Sequence, residues 1–467
     1  MAPVTEDVDL LVVGGGKAGK TLAMDRARGG ARVAMAERGM IGGSCINVAC
    51  IPTKALVASA RARRALDRGR ELGLVVGDVR TDVDLLRAHR SDVVDAMVAL
   101  NHKQFLDSGM DLVIGQARFV AERTVEVRTA DGGGRVLRGA DTVIDTGTRP
   151  RLPDIPGLDR AGALTSESLL RLERIPDRLT VLGDGPIGLE FADMFAAFGS
   201  RVTVVSRHSR LLPQEDAEIA AAVGDLLSGH GVTVLFERRV ARVGRDAGGE
   251  VTVVLEDGLE ITGDDLLVAV GRVPVTEELD LERAGVAVTA AGFVDVDEHL
   301  ATTAQHTWAA GDVAGSPQFT HAALDDYRIL KENLAGGSRS TRDRLIPRTT
   351  FLGLDLAHVG LTEEQARRLG HRVKIARLPV AAIPRARTTG ETQGLWKAVV
   401  DAETHRILGA TLLGPETGET LTTVQTAMLA GLPCTALRDM VISHPTMTEG
   451  LNMLFANLTE DQDTSGR

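Results

Sequence analysis

Two of the three cysteines in this 467-residue chain, Cys45 and Cys50, have only four residues between them, in the stretch GGSCINVACIPTK at 42–54. Thiols that close can exchange two electrons by closing a small disulfide loop. The backbone must bend to allow it, because an ideal helix directs the two side chains to different faces. Pro52 suits a first helical turn and so places Cys50 near a helix N-terminus, where the dipole lowers a thiol pKa and favours thiolate. Structural zinc would need about four ligands, and no second Cys or His cluster lies nearby in sequence. Two unrelated buried cysteines are the other reading of the pair. Cys434 stands alone in GLPCTAL and reads as a small core residue.

The elements that would position this chemistry come as one supersecondary unit used twice. Residues 9–37 and 178–206 superpose at a single offset, which lays Gly14 on Gly183, Gly16 on Gly185, Gly19 on Gly188 and Glu37 on Ser206. Each copy runs from an apolar strand through the glycines into a stretch of helical length and out through a Val-rich strand. The first glycine permits a tight turn, the second lets backbone approach a pyrophosphate, and the third allows helix to pack on strand. The helix N-terminus then faces the phosphates.

The residue ending the second strand separates the two copies. Glu37 can accept hydrogen bonds from a ribose diol, whereas Ser206 is followed by Arg207, His208 and Arg210. A lost carboxylate beside two guanidinium groups predicts a 2′-phosphate, hence NADPH, with NADH as a second possibility and a solvated basic turn as the plain alternative. Two shorter strands, DTVIDTG at 141–147 and DLLVAVG at 265–271, each follow a hairpin signal and return a meander to a nucleotide-binding sheet. From about residue 346 the patterning changes and no glycine fingerprint follows, which predicts a separate domain.

Length and composition bound the rest. At about 150 residues per domain the chain makes roughly three domains. With 43% hydrophobic and 25% charged residues it can build an ordinary core, and 3% aromatics means that core is aliphatic. A net charge of −11 without a segregated basic patch excludes a nucleic-acid partner. The acidic N-terminus is unlike a signal peptide, no segment approaches the roughly 20 apolar residues of a membrane span, and few cysteines predict a reducing, cytoplasmic setting.

The order of a glycine fingerprint, GGSCINVACIPTK, GDGPIGLEF, WAAGDV at 308–313 and HPTMTE at 444–449 resembles the class I pyridine nucleotide-disulfide oxidoreductases over nearly the whole chain. Within that family KAGKTLA at 17–23, QFTHAALDDYRI at 318–329, LPVAAIPRAR at 378–387 and HPTMTEGLN at 444–452 look most like bacterial reactive-chlorine-resistance flavoprotein reductases. Mercuric reductases and dihydrolipoamide dehydrogenases look more distant. The resemblance implies an α/β fold of two Rossmann-like dinucleotide-binding domains, for FAD and NAD(P), plus a C-terminal α+β dimerisation domain. Their boundaries would be 1–150 and 274–345 for FAD, 151–273 for NAD(P) and 346–467 for the interface.

By the same resemblance Cys45 is the interchange thiol and Cys50 the thiolate that contacts flavin, while Lys54 pairs with Glu190 near the flavin's reactive nitrogen. Arg38, Gly43, Ser44, Thr146, Gly147 and Gly311 join the FAD site, Asp312 holds the ribityl chain, and Ala117 binds the adenine side through its backbone. Ile187 joins the second nucleotide loop, and Gly271 and Arg272 lie near the cofactors. His444 and Glu449 match an acid/base pair that the family contributes from the partner subunit, a pairing that suits a residue titrating near neutrality. The apolar positions Met447, Leu451, Leu454, Phe455 and Leu458 follow at helical spacing, a stripe that marks core or interface more often than cofactor contact.

The activity implied is a cytoplasmic homodimer in which NADPH reduces FAD, FAD reduces the Cys45/Cys50 disulfide and the dithiol reduces a small oxidant, with no resident metal. The alternatives are a dithiol oxidase or dihydrolipoamide dehydrogenase running in reverse, and a flavin-loaded binding subunit. Departures from the family pattern are Pro186 at the nicotinamide gate, Ala49 for a common Gly, Thr276 for a common Asn, and the lack of a C-terminal cysteine pair. The last counts against mercuric ion.

Overall fold

The computed structural model describes residues 4–171 and 173–460; the outermost residues of the first and last predicted domains, 1–3 and 461–467, lie outside it. The chain divides into two compact units, one formed by residues 1–55, 87–151 and 271–344, the other by 56–86, 152–270 and 345–467.

The first unit is organised by a seven-stranded sheet. Strand Thr5–Val13 pairs in parallel with Val33–Glu37 on one side and Gly134–Ile144 on the other, and Asp111–Ile114 and Thr307–Ala309 extend the parallel part. Gly134–Ile144 is long enough to serve also as the last strand of an antiparallel meander with Gln116–Ala121 and Thr124–Arg128. The alternation of the first strand explains its place at the centre. Leu11 and Val13 pack into one apolar cluster and Leu10 and Val12 into another, so both faces are covered. Ala18, Leu22 and Ala23 of helix Lys17–Arg28 share the second cluster with Ile329 and Leu330 of helix Thr320–Asn333.

The second unit repeats the parallel motif in a four-stranded sheet, Thr233–Leu235, Arg201–Val205, Arg178–Leu182 and Asp265–Val268 in that order. Helices Pro186–Ala197 and Ala217–Gly229 bury Leu189, Phe191, Phe195, Ile219 and Leu227 against it. The hairpin signal at 257 becomes the turn of a three-stranded antiparallel sheet, 240–263. The last quarter forms a six-stranded antiparallel sheet whose central strands, Asp355–Gly360, Ile407–Gly414 and Leu395–Asp401, bury Trp396 completely.

The stripe from Met447 to Leu458 is divided among elements: the helix spans only Gly450–Ala456, Met447 precedes it, and Leu458 opens a short strand paired with Val373–Pro379. All five side chains still pack against one core, so the spacing reported burial rather than continuous helix. Segment 56–86 clusters with the second unit, because Leu56, Val57 and Ala60 join the core that contains Phe191 and Phe195.

Candidate active site

The bend that a Cys45/Cys50 exchange requires is present. Cys45 sits on a single helical turn, Ser44–Asn47, which ends at Val48, outside the helical region at φ −141° and ψ 8°, and Cys50 opens the 18-residue helix Cys50–Asp67. The turn is anchored from both ends. Asn47 donates its amide to the carbonyls of Ile41 and Gly43, both at 2.9 Å, and the buried Lys20 donates Nζ to the Gly42 carbonyl at 2.7 Å and to Asn101 Oδ1 at 2.8 Å. Burial first, then the charge of Lys17, lowers the Lys20 ammonium to about 8.

Both thiols are free, and they hydrogen-bond to each other. The pair is asymmetric. Cys50 is pulled down to about 6, chiefly by the hydrogen bond from Cys45; Thr320 Oγ1, 3.6 Å from its sulfur, and the Lys54 charge one turn along the helix act with it, against burial. Cys45 is pushed up by the same hydrogen bond and by burial. One sulfur therefore holds the negative charge and the other the proton.

The glycine loop ahead of helix Lys17–Arg28 is closely fitted. Gly14 takes φ +96°, and a Cβ there would lie 2.5 Å from the Asp145 carbonyl; a Cβ on Gly19 would lie 2.7 Å from Val12 Cγ1. Gly16 has a further reason for being glycine: its Cβ would lie 2.5 Å from both carboxylate oxygens of Asp145. Glu37 accepts from Gly15 N at 2.7 Å and from Gly39 N and Met40 N at 2.8 Å, which fixes a carboxylate at the strand end. Gly43 closes the cradle, since a Cβ there would come within 3.0 Å of the Gly15 carbonyl. A pyrophosphate needs such a narrow, side-chain-free space of backbone N–H groups with a ribose-binding carboxylate at its rim, so these residues fit the adenosine diphosphate part of FAD.

Beneath the loop three acids converge on the Gly311 turn. Asp145, fully buried, accepts from Gly19 N at 2.6 Å; Asp326 accepts from Gly311 N at 2.8 Å and is paired with Arg344; Asp312 accepts from Thr148 Oγ1 at 2.7 Å. Burial raises Asp145 well above the usual carboxylate range, and Asp312 is raised for the same reason. Arg272, following Gly271 at φ +116°, donates to Thr148 Oγ1 and to its carbonyl, both at 2.8 Å. Thr146 donates to the Val275 carbonyl at 2.7 Å, and Val275 N to Gly147 O at 3.0 Å. Ala117 is buried in the meander, and Arg38 is exposed, 3.9 Å from Glu278.

In the second unit Gly183 turns at φ +123°, Gly185 caps helix Pro186–Ala197, and a Cβ on Gly188 would meet the Gly183 carbonyl at 2.4 Å. Pro186 is the exposed first residue of that helix and Ile187 is half-buried behind it. The Ser206 hydroxyl is fully buried and donates to Asp184 Oδ2 at 2.5 Å, and His208 Nδ1 donates to the same oxygen at 2.7 Å. Ser206 is therefore occupied within the fold. Arg207 is exposed, with no hydrogen bond or ion pair among the described residues, whereas Arg210 donates to the Pro213 carbonyl at 3.1 Å and lies 3.8 Å from Glu364. Glu190, buried, accepts from Phe351 N at 2.8 Å. His444 Nδ1 lies 2.8 Å from Glu449 Oε2, the imidazole exposed and the carboxylate nearly covered.

Sequence reasoning missed Asp145, Asp184, Lys20 and Asp326. Asp145 lay inside a quoted motif, and an acid ending an apolar strand run was its signal.

The pyridine nucleotide-disulphide oxidoreductase family matches residues 8–326, and its dimerisation domain matches residues 346–454. This chain belongs to that family. It is 41% identical to a probable pyridine nucleotide-disulfide oxidoreductase, RclA, of Escherichia coli strain K12, over 96% of this chain and 98% of that one. A mercuric reductase of Bacillus cereus is 35% identical over 98% of this chain and 72% of its own length. A dihydrolipoyl dehydrogenase of Thermus scotoductus is 36% identical over 95% of each. The solved Cu(II) complex of the HOCl-induced flavoprotein disulfide reductase RclA superposes with a TM-score of 0.90 at 40% identity, over 97% of this chain and 99% of that one. The protein is thus an FAD-dependent, pyridine nucleotide-linked disulfide oxidoreductase with two Rossmann-like domains and a C-terminal dimerisation domain. Among the described residues no helix is long and apolar enough to cross a membrane.

Proposed function

We propose that the protein uses NADPH, and NADH as a second donor, to keep the Cys45/Cys50 pair reduced, and that the dithiol reduces a small oxidant. The acceptor would be a reactive chlorine-derived species, a disulfide or a metal ion such as cupric ion. The observation that carries this reading is the bent cysteine pair, Cys45 on a single helical turn and Cys50 opening the next helix beside Thr320, an arrangement that lowers Cys50 and raises Cys45. FAD, when bound, passes two electrons from the nicotinamide to the sulfurs. The chain's residues supply the rest. Lys54 and Thr320 hold Cys50 as thiolate, and Cys45 keeps its proton until a base removes it. His444, oriented by Glu449, is suited to be that base, supplied by the partner of a homodimer. When a disulfide is the acceptor, the dithiol gives up two electrons and two protons, its S–S bond forms, and the acceptor leaves as two thiols.

The acceptor classes are supported by the relatives, one solved as a Cu(II) complex and described as HOCl-induced, others described as mercuric reductases. NADPH is supported by the exposed Arg207 beside the second loop. We further assign 1–150 and 274–345 to FAD, with Glu37, Arg38, Gly43, Ser44, Ala117, Thr146, Gly147, Gly311 and Asp312 as its contacts. Residues 151–273 are assigned to the nicotinamide dinucleotide, 346–467 to the subunit interface, and the cytoplasm to the protein. Lys54 and Glu190 are each assigned a role near the reacting ring. The test is steady-state NADPH oxidation by the FAD-loaded protein with cupric ion, hypochlorous acid-treated thiols and small disulfides as acceptors. Turnover should fall by more than about a hundredfold in Cys45→Ser and in Cys50→Ser. A Cys45→Ala, Cys50→Ala double variant as active as the parent on every acceptor would refute the relay.

A further inference from the structure

Where the first copy of the repeated unit places a carboxylate on the strand end, the second places one on the loop. Glu37 reaches from the strand to Gly15 N, and a Cβ built on Gly15 would point at Glu37 Oε2 from 2.9 Å. The residue matching Gly15 in the second copy is Asp184, and its side chain follows that same direction. Its Oδ2 accepts from Ser206, the residue matching Glu37, and from His208. The contact between loop and strand end is therefore conserved in space while donor and acceptor have changed sides. Both copies hold a nearly buried carboxylate between the glycine loop and the end of the second strand, with Glu37 and Asp184 each 8% exposed. In a dinucleotide-binding unit that is the spot from which an acid receives the ribose 2′-hydroxyl.

We propose that Asp184 is the residue that reads the dinucleotide's 2′ position, accepting a 2′-hydroxyl and opposing a 2′-phosphate, so that it restrains the preference for NADPH that the neighbouring arginine turn would otherwise impose. The proposal rests on the coenzyme reading above and refines it. Replacement of Glu37's counterpart by Ser206 does not empty the site of negative charge, because the carboxylate arrives from the loop. Ser206 and His208 act as positioning residues that hold Oδ2, and Arg207 supplies the opposing attraction for phosphate. Specificity then comes from one attractive element on the arginine turn and one repulsive element on the glycine loop that faces it, a common way to set a ratio of affinities.

The test uses the FAD-loaded protein with two probes that differ only in the group at issue, 2′,5′-ADP and 5′-AMP, measured by calorimetry, and with KM for NADPH and NADH. Asp184→Asn keeps the size of the side chain and its ability to accept from Ser206. It should raise the affinity ratio of 2′,5′-ADP over 5′-AMP about tenfold, the equivalent of about 1.4 kcal/mol, and the change should fall on KM rather than kcat. Asp184→Gly, which restores the loop residue of the first copy, should move the ratio in the same direction; retained flavin absorbance together with retained binding of 5′-AMP in either variant certifies the fold. An unchanged ratio in a variant that retains flavin overturns the assignment. The coenzyme reading is tested separately by Arg207→Ala, whose failure to weaken 2′,5′-ADP would remove the phosphate contact while leaving the Asp184 result to stand by its own ratio.

Discussion

Thr320 offers a measurable handle on the charge split between the two sulfurs. Its hydroxyl, on the first residue of helix Thr320–Asn333, lies 3.6 Å from Cys50 Sγ and is one of the influences that lower this thiol to about 6. Thr320→Val keeps the branched shape and removes the donor. A hydrogen bond contributes about 0.5–1.5 kcal/mol, the range suited to this long contact to sulfur, so its loss should raise the Cys50 pKa by about 0.4–1.1 units. At neutral pH the thiolate fraction then falls from about nine-tenths to between about four-fifths and about half. The assay is the rate of iodoacetamide labelling of Cys50 in the reduced protein as a function of pH, read on the isolated peptide by mass spectrometry, because alkylation follows the thiolate. The midpoint should move up in Thr320→Val and return in Thr320→Ser. A midpoint in Thr320→Val equal to the parent's would refute the claim that this hydroxyl supports the thiolate and leave the Cys45 hydrogen bond and Lys54 to account for it.

Two stability predictions follow from buried charge. Asp145 is raised by burial, so the folded chain retains a proton that the unfolded chain has released above about pH 4, and stability is lost as pH rises from there toward the folded value. Asp145→Asn should therefore gain melting temperature over the parent progressively across that window and hold the gain above it; a difference independent of pH would contradict the assignment. Lys397, 3% exposed, sits among Asp216 at 3.0 Å, Glu363 at 2.6 Å and Glu218, and although burial lowers its pKa, the hydrogen bonds to Glu218 and Glu363 raise it further. Lys397→Met should cost about 3–5 kcal/mol in urea unfolding at neutral pH, and a loss below about 1 kcal/mol would show that the acids are relieved by other cations.

Much of this was legible in the sequence because the informative residues obey backbone rules. Gly19 and Gly188 stand where a Cβ would strike Val12 and Gly183 within the same strand-turn-helix unit, and Gly14 and Gly183 turn at positive φ, so their spacing alone marks them. The Cys45/Cys50 bend was likewise local, imposed between Asn47 and Cys50. What escaped was long-range and polar. Asp145 meets Gly19 across 126 residues and Lys20 meets Asn101 across 81, distances at which spacing carries no signal. Ser206 read as a lost carboxylate because the strand end was compared alone, without the loop residue it faces. The stripe Met447–Leu458 read as core or interface and does pack into one core, although burial on a helix and burial across a turn into an edge strand leave similar patterns.

The asymmetry of the thiols follows from where the chain puts each of them. Cys50 opens a long helix, so unpaired N–H groups and Lys54 one turn later favour its negative charge. Cys45 stands on four helical residues, too few for an appreciable dipole, and is covered enough that its own ionisation is opposed. Its proton is best shared with the sulfur already ionised, which lowers one partner while raising the other. A symmetric pair on one continuous helix could not divide the roles in this way. The break at Val48 therefore does more than bring the sulfurs together: it gives them different electrostatic surroundings, and it is this difference on which the proposed division of tasks rests, Cys50 as the thiolate toward the electron source and Cys45 as the thiol that needs a base before it meets an oxidant.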